Sequence, residues 1–164
     1  EALRSLPGVH LAIVGDALFT EDDRAYRDEL QRTAEEPGLQ GRVHFLGFRS
    51  DVTALLQAMD VVVHCSVAAE PFGRVIVEAM LAGTPVVATR GGGVDEIITD
   101  GQDGFLVPPA DPAALALAVG KIIQDPELAA KVSSIALESA RERFSMEKTV
   151  GCICQLLKDI VNIE

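Results

Sequence analysis

The chain has no tryptophan and one tyrosine, and aromatic residues fill only 4% of its 164 positions. Any core must therefore be built from aliphatic side chains. With 48% of residues hydrophobic there are enough of them, and a disordered chain is excluded. Cations are scarce: 14 Lys and Arg stand against 25 Asp and Glu, for a net charge of −11. A nucleic-acid backbone rewards clustered Lys and Arg, so no nucleic-acid partner is expected. The same deficit argues against docking of this segment on an anionic membrane. No apolar run reaches the roughly 20 residues of a membrane span, and no signal-peptide pattern is present. Cysteine is sparse too. Cys65, Cys152 and Cys154 are odd in number and irregular in spacing, which is not a disulfide framework. A lone Cys-x-Cys lacks the further ligands of a zinc site. Reduced thiols and a cytoplasmic setting are expected. The three histidines have no metal spacing with Asp or Glu, so no bound metal is expected. His10 and His44 read as structural, and His64 as a strand-end residue near the site.

What the sequence does contain is alternation. Apolar segments of strand length occur at residues 9–14, 43–46, 61–65, 85–88 and 105–107. Helical segments occupy residues 22–35, a stretch capped by Ser50 or Asp51, the stretch after Gly73, residues 94–98, 112–123, 126–143 and 146–160. Pro37-Gly38 ends the first helix. Asp111-Pro112 and Asp125-Pro126 each place an N-cap before a proline at the first helical position. Residues 61–65 form a continuous rather than alternating apolar run. That predicts a parallel strand buried on both faces, with Cys65 inside it. The whole pattern predicts one α/β domain over residues 1–164, a Rossmann-like parallel sheet with helices on both faces. Ligands of such sheets bind at the carboxyl ends of the strands. Gly15, Gly47, residues 66–73 and residues 90–93 all follow strands directly, so they are expected to converge on one edge.

Residues 70–87 organise that edge. Glu70-Pro71-Phe72-Gly73 leads into a helix carrying Val75, Ile76, Val77, Ala79, Met80 and Leu81. A helix apolar on nearly every side is expected to be buried. Glu78 in its middle then needs a partner, protein or ligand, because a lone buried carboxylate is costly. Gly73 lets a ligand approach the backbone closely. The first amides of the helix lack internal acceptors and form an anion site. Two carboxylates bracketing a helix N-terminus suit a phosphorylated ligand with hydroxyls at each end.

The stretch from Glu70 to Glu78 resembles the E-x7-E motif of retaining, nucleotide-sugar-dependent glycosyltransferases of the GT-B fold. Further motifs follow in the family's order: Leu11-Ala12-Ile13-Val14-Gly15, Val43-His44-Phe45-Leu46-Gly47, Gly83-Thr84-Pro85-Val86-Val87-Ala88, Gly91-Gly92-Gly93-Val94-Asp95-Glu96 and Gly104-Phe105-Leu106-Val107-Pro108. The resemblance runs over residues 6–144 and implies the C-terminal, donor-binding domain. It implies that Glu78 accepts hydrogen bonds from the donor ribose diol, as a carboxylate can. The other reading of Glu78 is a bond to a neighbouring loop amide. Glu70 would contact the donor sugar and support the transition state, or else serve as a helix-dipole carboxylate worth under about 1 kcal/mol. Phe72, Gly73, Arg74 and Val75 would present amides to the diphosphate and sugar. Gly15, Gly47, Phe48 and Arg49 would lie along the same site, with Phe48 and Arg49 meeting the base. For Arg74, Phe48 and Arg49 the competing readings are a solvated helix residue and an ordinary connection. A nucleotide-sugar epimerase of similar fold and a flavodoxin-like interaction domain are the alternatives. The latter would want an aspartate cluster at strand ends, where Asp16 stands alone.

The resemblance also implies an N-terminal acceptor-binding domain outside this chain, and leaves membrane association of a longer parent open. No cofactor is implied beyond the nucleotide-sugar substrate. The strand that opens the family's domain, with Gly-Arg and later Lys-Gly behind it, does not appear in the sequence. It would lie mid-sheet. The strands at 9–14 and 61–65 then flank its place, to be filled by another chain or segment or closed by direct pairing.

Overall fold

A computed structural model describes residues 1–16 and 21–161. After a 3-10 turn at Ala2–Ser5, the order is β1 (Leu11–Val14), α1 (Glu21–Ala34), β2 (Val43–Gly47), α2 (Val52–Gln57), β3 (Val62–His64), α3 (Arg74–Ala82), β4 (Val86–Thr89), α4 (Val94–Ile97), β5 (Phe105–Val107), α5 (Pro112–Gln124), α6 (Pro126–Phe144) and α7 (Met146–Val161). Every strand pairing among the described residues is parallel. The mixed α/β architecture is as expected.

The sheet, however, is two sheets. β1 pairs with β2, and β3-β4-β5 form a separate three-stranded sheet. The break falls where the sequence implies a missing mid-sheet strand, between β1 and β3, and of the ways of filling that place direct closure of β1 on β3 does not occur. Each of the two strands pairs on one edge, β1 with β2 and β3 with β4, and no ladder joins the pairs.

The core lies around β4, whose four residues are all buried. Its side chains alternate between two apolar clusters, as strand geometry requires. Val86 and Ala88 face Ile76, Ala79 and Met80 of α3, with Ala136 and Ala140 of α6 behind them. Val87 faces the other way, with Phe105, Val107, Val119, Ile122 and Val132. Alanines at 136 and 140, a turn apart, let α6 approach α3 closely. The second sheet thus carries helices on both faces, which is why its strands read as unbroken apolar runs.

The first sheet is more open: Leu11, Val14 and Leu46 are all exposed by more than a third. Arg42 ties it to the chain start, donating from Nε to the Val9 carbonyl at 3.0 Å and from Nη2 to the carbonyls of Leu3 and Leu6. His10 and His44, read as structural, stack on each other with Nδ1 and Nε2 2.9 Å apart. Cys65 falls just past β3 and is exposed, not buried, because the strand ends one residue earlier.

The Asp-Pro starts behave as read. Asp111 accepts from the Ala114 amide at 2.9 Å, and Asp125 from the Leu128 amide at 3.0 Å. Asp125 is at once the last residue of the α5 boundary and the N-cap of α6. Asp51 occupies the N-cap position of α2, but its side chain makes no cap bond. Asp111→Ala and Asp125→Ala should each cost about 1 kcal/mol. The test is the urea midpoint at constant slope; midpoints equal to that of the unmodified chain would show the caps to be idle. On α7, Met146, Val150, Ile153, Leu157 and Ile160 form an exposed apolar stripe. Among the described residues no helix is long and apolar enough to cross a membrane.

Candidate functional site

Two loops at the carboxyl end of the β3-β4-β5 sheet are clasped together. Glu70 and Gly92 form a parallel bridge, and the Gly93 amide donates to the Glu70 carbonyl at 2.9 Å. The approach is so close that side chains are excluded. A Cβ on Gly92 would sit 2.2 Å from the Glu70 carbonyl oxygen, and one on Gly93 would sit 2.5 Å from that of Pro71. Asp95 orders the glycine turn by accepting from the Gly91 amide at 2.8 Å, while Arg90 pairs with Asp95 and Asp100. The glycine run is therefore a steric requirement and not merely a flexible turn.

The clasp aims the N-terminus of α3. Gly73 is its N-cap, with φ +86°, and no side chain caps the helix there. The first bond inside the helix runs from the Ile76 amide to the Gly73 carbonyl at 2.9 Å, which leaves the Arg74 and Val75 amides ahead of it. Free amides and the helix dipole make such an end attractive to anions. Glu70 stands against it: its Oε1 accepts from the Gly73 amide at 3.1 Å, and its Oε2 lies 3.5 Å from His64 Nε2. The side chains of His64 and Glu70 are 12% and 31% exposed. Phe72 packs edge-on against Phe144 at 5.9 Å, fixing the loop to the end of α6.

Glu78 is not buried. Its side chain is 43% exposed and lies 3.6 Å from Arg74, which is 85% exposed. The expectation of a helix buried on every side is corrected here. Ile76, Val77, Ala79 and Met80 are buried, but Val75 and Leu81 are exposed with Arg74 and Glu78. Two faces of α3 are covered by the sheet, α2 and α6, and the row at 74, 78 and 81 looks outward. Glu78 thus needs no internal partner, and an exposed i,i+4 pair is worth only about 0.3–0.5 kcal/mol. Both carboxylates remain open to a ligand.

The other predicted residues lie on the first sheet. The Gly15 amide donates to the Gly47 carbonyl at 2.9 Å, so those two strand ends meet. Phe48 is 73% exposed. Arg49 makes a two-point pair with Asp51, at 2.8 and 2.6 Å. That hydrogen bonding holds the Asp51 carboxyl below its ordinary range and raises Arg49. Asp16 is paired with Arg27 of α1 at 3.1 Å, a bond that raises the arginine. A hollow of about 580 Å³ opens beside Gly15, Gly47, Tyr26 and Arg27. The four strand-end segments therefore sit on two sheets, with Gly15 meeting Gly47 on one and the Glu70 loop clasped to Gly92 on the other. Sequence reasoning put His64 at a strand end near the site and Asp95 in a family motif, but it did not foresee their partners, Glu70 and the Gly91 amide, which each meets only through a folded loop.

Comparison with known proteins gives one answer. The family described as Glycosyl transferases group 1 matches residues 1–139. The lipopolysaccharide core biosynthesis glycosyltransferase LpsE of Rhizobium meliloti is 36% identical over 157 residues, which is 96% of this chain and 44% of LpsE. The crystal structure of Anabaena HepE in complex with UDP and glucose superposes with a TM-score of 0.90 at 42% identity, covering 96% of this chain and 42% of HepE. The C-terminal domain of a glycosyl transferase group 1 protein, LpcC from Francisella tularensis, superposes at 0.78 with 28% identity, covering 88% of this chain and 74% of that one. The chain thus spans less than half the length of LpsE and HepE.

Proposed function

The chain belongs to the glycosyl transferases group 1, and from that footing we propose that it is the donor-binding domain of a retaining glycosyltransferase that moves a sugar from a nucleotide diphosphate sugar to an acceptor. The fold is that of GT-B glycosyltransferase C-terminal domains. The epimerase and flavodoxin-like alternatives find no support in the family match. The observation that carries the reading is the side-chain-uncapped start of α3, with Glu70 against it and Glu78 one turn further in and solvent-accessible.

In this reading the Arg74 and Val75 amides receive the diphosphate beside Gly73, whose own amide is held by Glu70. They offer fixed dipoles where negative charge grows as the glycosidic bond to the leaving group breaks, and preorganised dipoles there lower the barrier. Arg74 adds a mobile positive charge at the same turn. Glu78 accepts from the ribose diol, and Glu70 faces the sugar. Gly15, Gly47, Phe48 and Arg49 line the nucleotide side, with Phe72 holding the loop. No bound metal or cofactor is required, because the helix end does the work a cation would otherwise do. The acceptor site belongs to an N-terminal domain outside this chain, and the parent acts in the cytoplasm.

UDP in the HepE complexes supports a nucleotide diphosphate as the first ligand to try. Thermal melts of the 164-residue chain with UDP, GDP and ADP should single out one base. At a hundredfold excess over Kd the matching nucleotide adds about 2.7 kcal/mol, or roughly 5–10 °C for a chain of this size. Flat melting curves with all three would defeat the proposal.

A further inference from the structure

We propose that His64 is a positioning residue for Glu70, holding that carboxylate off the open amides of α3 so that a sugar diphosphate can take them. This rests on the donor-site reading above. The last residue of β3, His64 pairs with Ala88 across the ladder. Its backbone is pinned by Thr89, whose hydroxyl donates to the Ser66 carbonyl at 2.6 Å and reaches that of His64 at 3.5 Å. The chain then loops out and returns at Glu70, which brings Oε2 to 3.5 Å from His64 Nε2.

A lone pair on Nε2 would oppose a carboxylate oxygen, so Nε2 carries hydrogen on the side facing Glu70 Oε2. His64 Nδ1 is buried and has no partner among the described residues. A buried nitrogen left unpaired needs an explanation. The polar contact of the ring is made by its other nitrogen, toward Glu70, and among the described residues no side chain or backbone group holds Nδ1.

Glu70 is therefore pulled two ways. Oε1 reaches the Gly73 amide, just ahead of the open Arg74 and Val75 amides. Released from His64, the carboxylate is free to swing further onto the Arg74 and Val75 amides and cap the helix itself. It would then repel a diphosphate. With His64 in place it stays at the strand end, facing where a sugar would sit beyond the phosphates. Distances of 3.5 Å are long for a hydrogen bond, and such contacts tighten when substrate fills a site.

Two measurements test this. Without ligand, the ring ¹⁵N shifts of His64 should report Nε2–H, and Glu70→Ala should move them. Unchanged shifts would overturn the proposal whatever the chain binds. With ligand, calorimetry with UDP-glucose and UDP compares His64→Gln, His64→Asn and His64→Leu. Gln places its amide near Nε2, whereas Asn places it near Nδ1. His64→Leu and His64→Asn should weaken both ligands by about tenfold, and His64→Gln should restore them. Equal affinities for Gln, Asn and Leu variants would make His64 a packing residue only and end the proposal. If the unmodified chain binds neither ligand while the ring shifts respond to Glu70→Ala, the donor reading falls and the contact with Glu70 stands.

Discussion

Gly92→Ala is expected to destabilise the protein by about 2–4 kcal/mol, a fall of roughly 5–15 °C in melting temperature. Two costs combine. The residue sits at φ +64°, where an L side chain is strained. Its Cβ would meet Glu70 backbone atoms at 2.2, 3.0 and 3.2 Å, none of which can rotate away. The loop must lift, and the bond from the Gly93 amide to the Glu70 carbonyl lifts with it. Gly101 separates the two costs. It has a similar φ of +75°, but a Cβ there meets nothing within 4 Å. Gly101→Ala should cost only about 1 kcal/mol. Melting curves that coincide for the two variants would mean that the clasp between the loops is not as tight as the structure has it. The clasp also carries Glu70, so Gly92→Ala should impair nucleotide-sugar binding as well.

Glu78→Ala has the opposite signature: little loss of stability and nearly complete loss of the nucleotide response. Its pairing with the exposed Arg74 is worth about 0.3–0.5 kcal/mol. If Glu78 accepts from a ribose diol, two charge-assisted bonds disappear, for about 3 kcal/mol or roughly a hundredfold in Kd. At a concentration giving the unmodified chain about 2.7 kcal/mol of stabilisation, the variant would then keep only about 0.4. Melts with and without the nucleotide decide the matter. A full thermal shift in the variant would detach Glu78 from the ligand.

Much of this could be read from the residues because it depends on short-range rules. Asp111-Pro112 and Asp125-Pro126 announce helix starts by local chemistry, and the runs that became β4 and β5 announce burial by composition. Two features resisted. The exposure of Glu78 depends on which faces of α3 are covered. A helix bearing Val75, Ile76, Val77, Ala79, Met80 and Leu81 does not say which of them will be left outside; α2 and α6 decide it. Whether β1 and β3 would close on each other across the missing strand's place involves segments some 50 residues apart in sequence, and no local signal decided it. His64 was placed near the site, but its partner was not foreseen. Its tie to Glu70 is made by a loop, not by a helical or strand period.

Asp125, shared between the boundaries of α5 and α6, has a mechanical consequence. A one-residue joint with its side chain bonded into the next helix leaves little freedom for bending. Ala136 and Ala140 seat α6 against α3, and α7 follows directly from its far end. Force applied at the first turn of α3 is thus met by α6, whose last residue, Phe144, also packs against Phe72 of the loop that leads into α3.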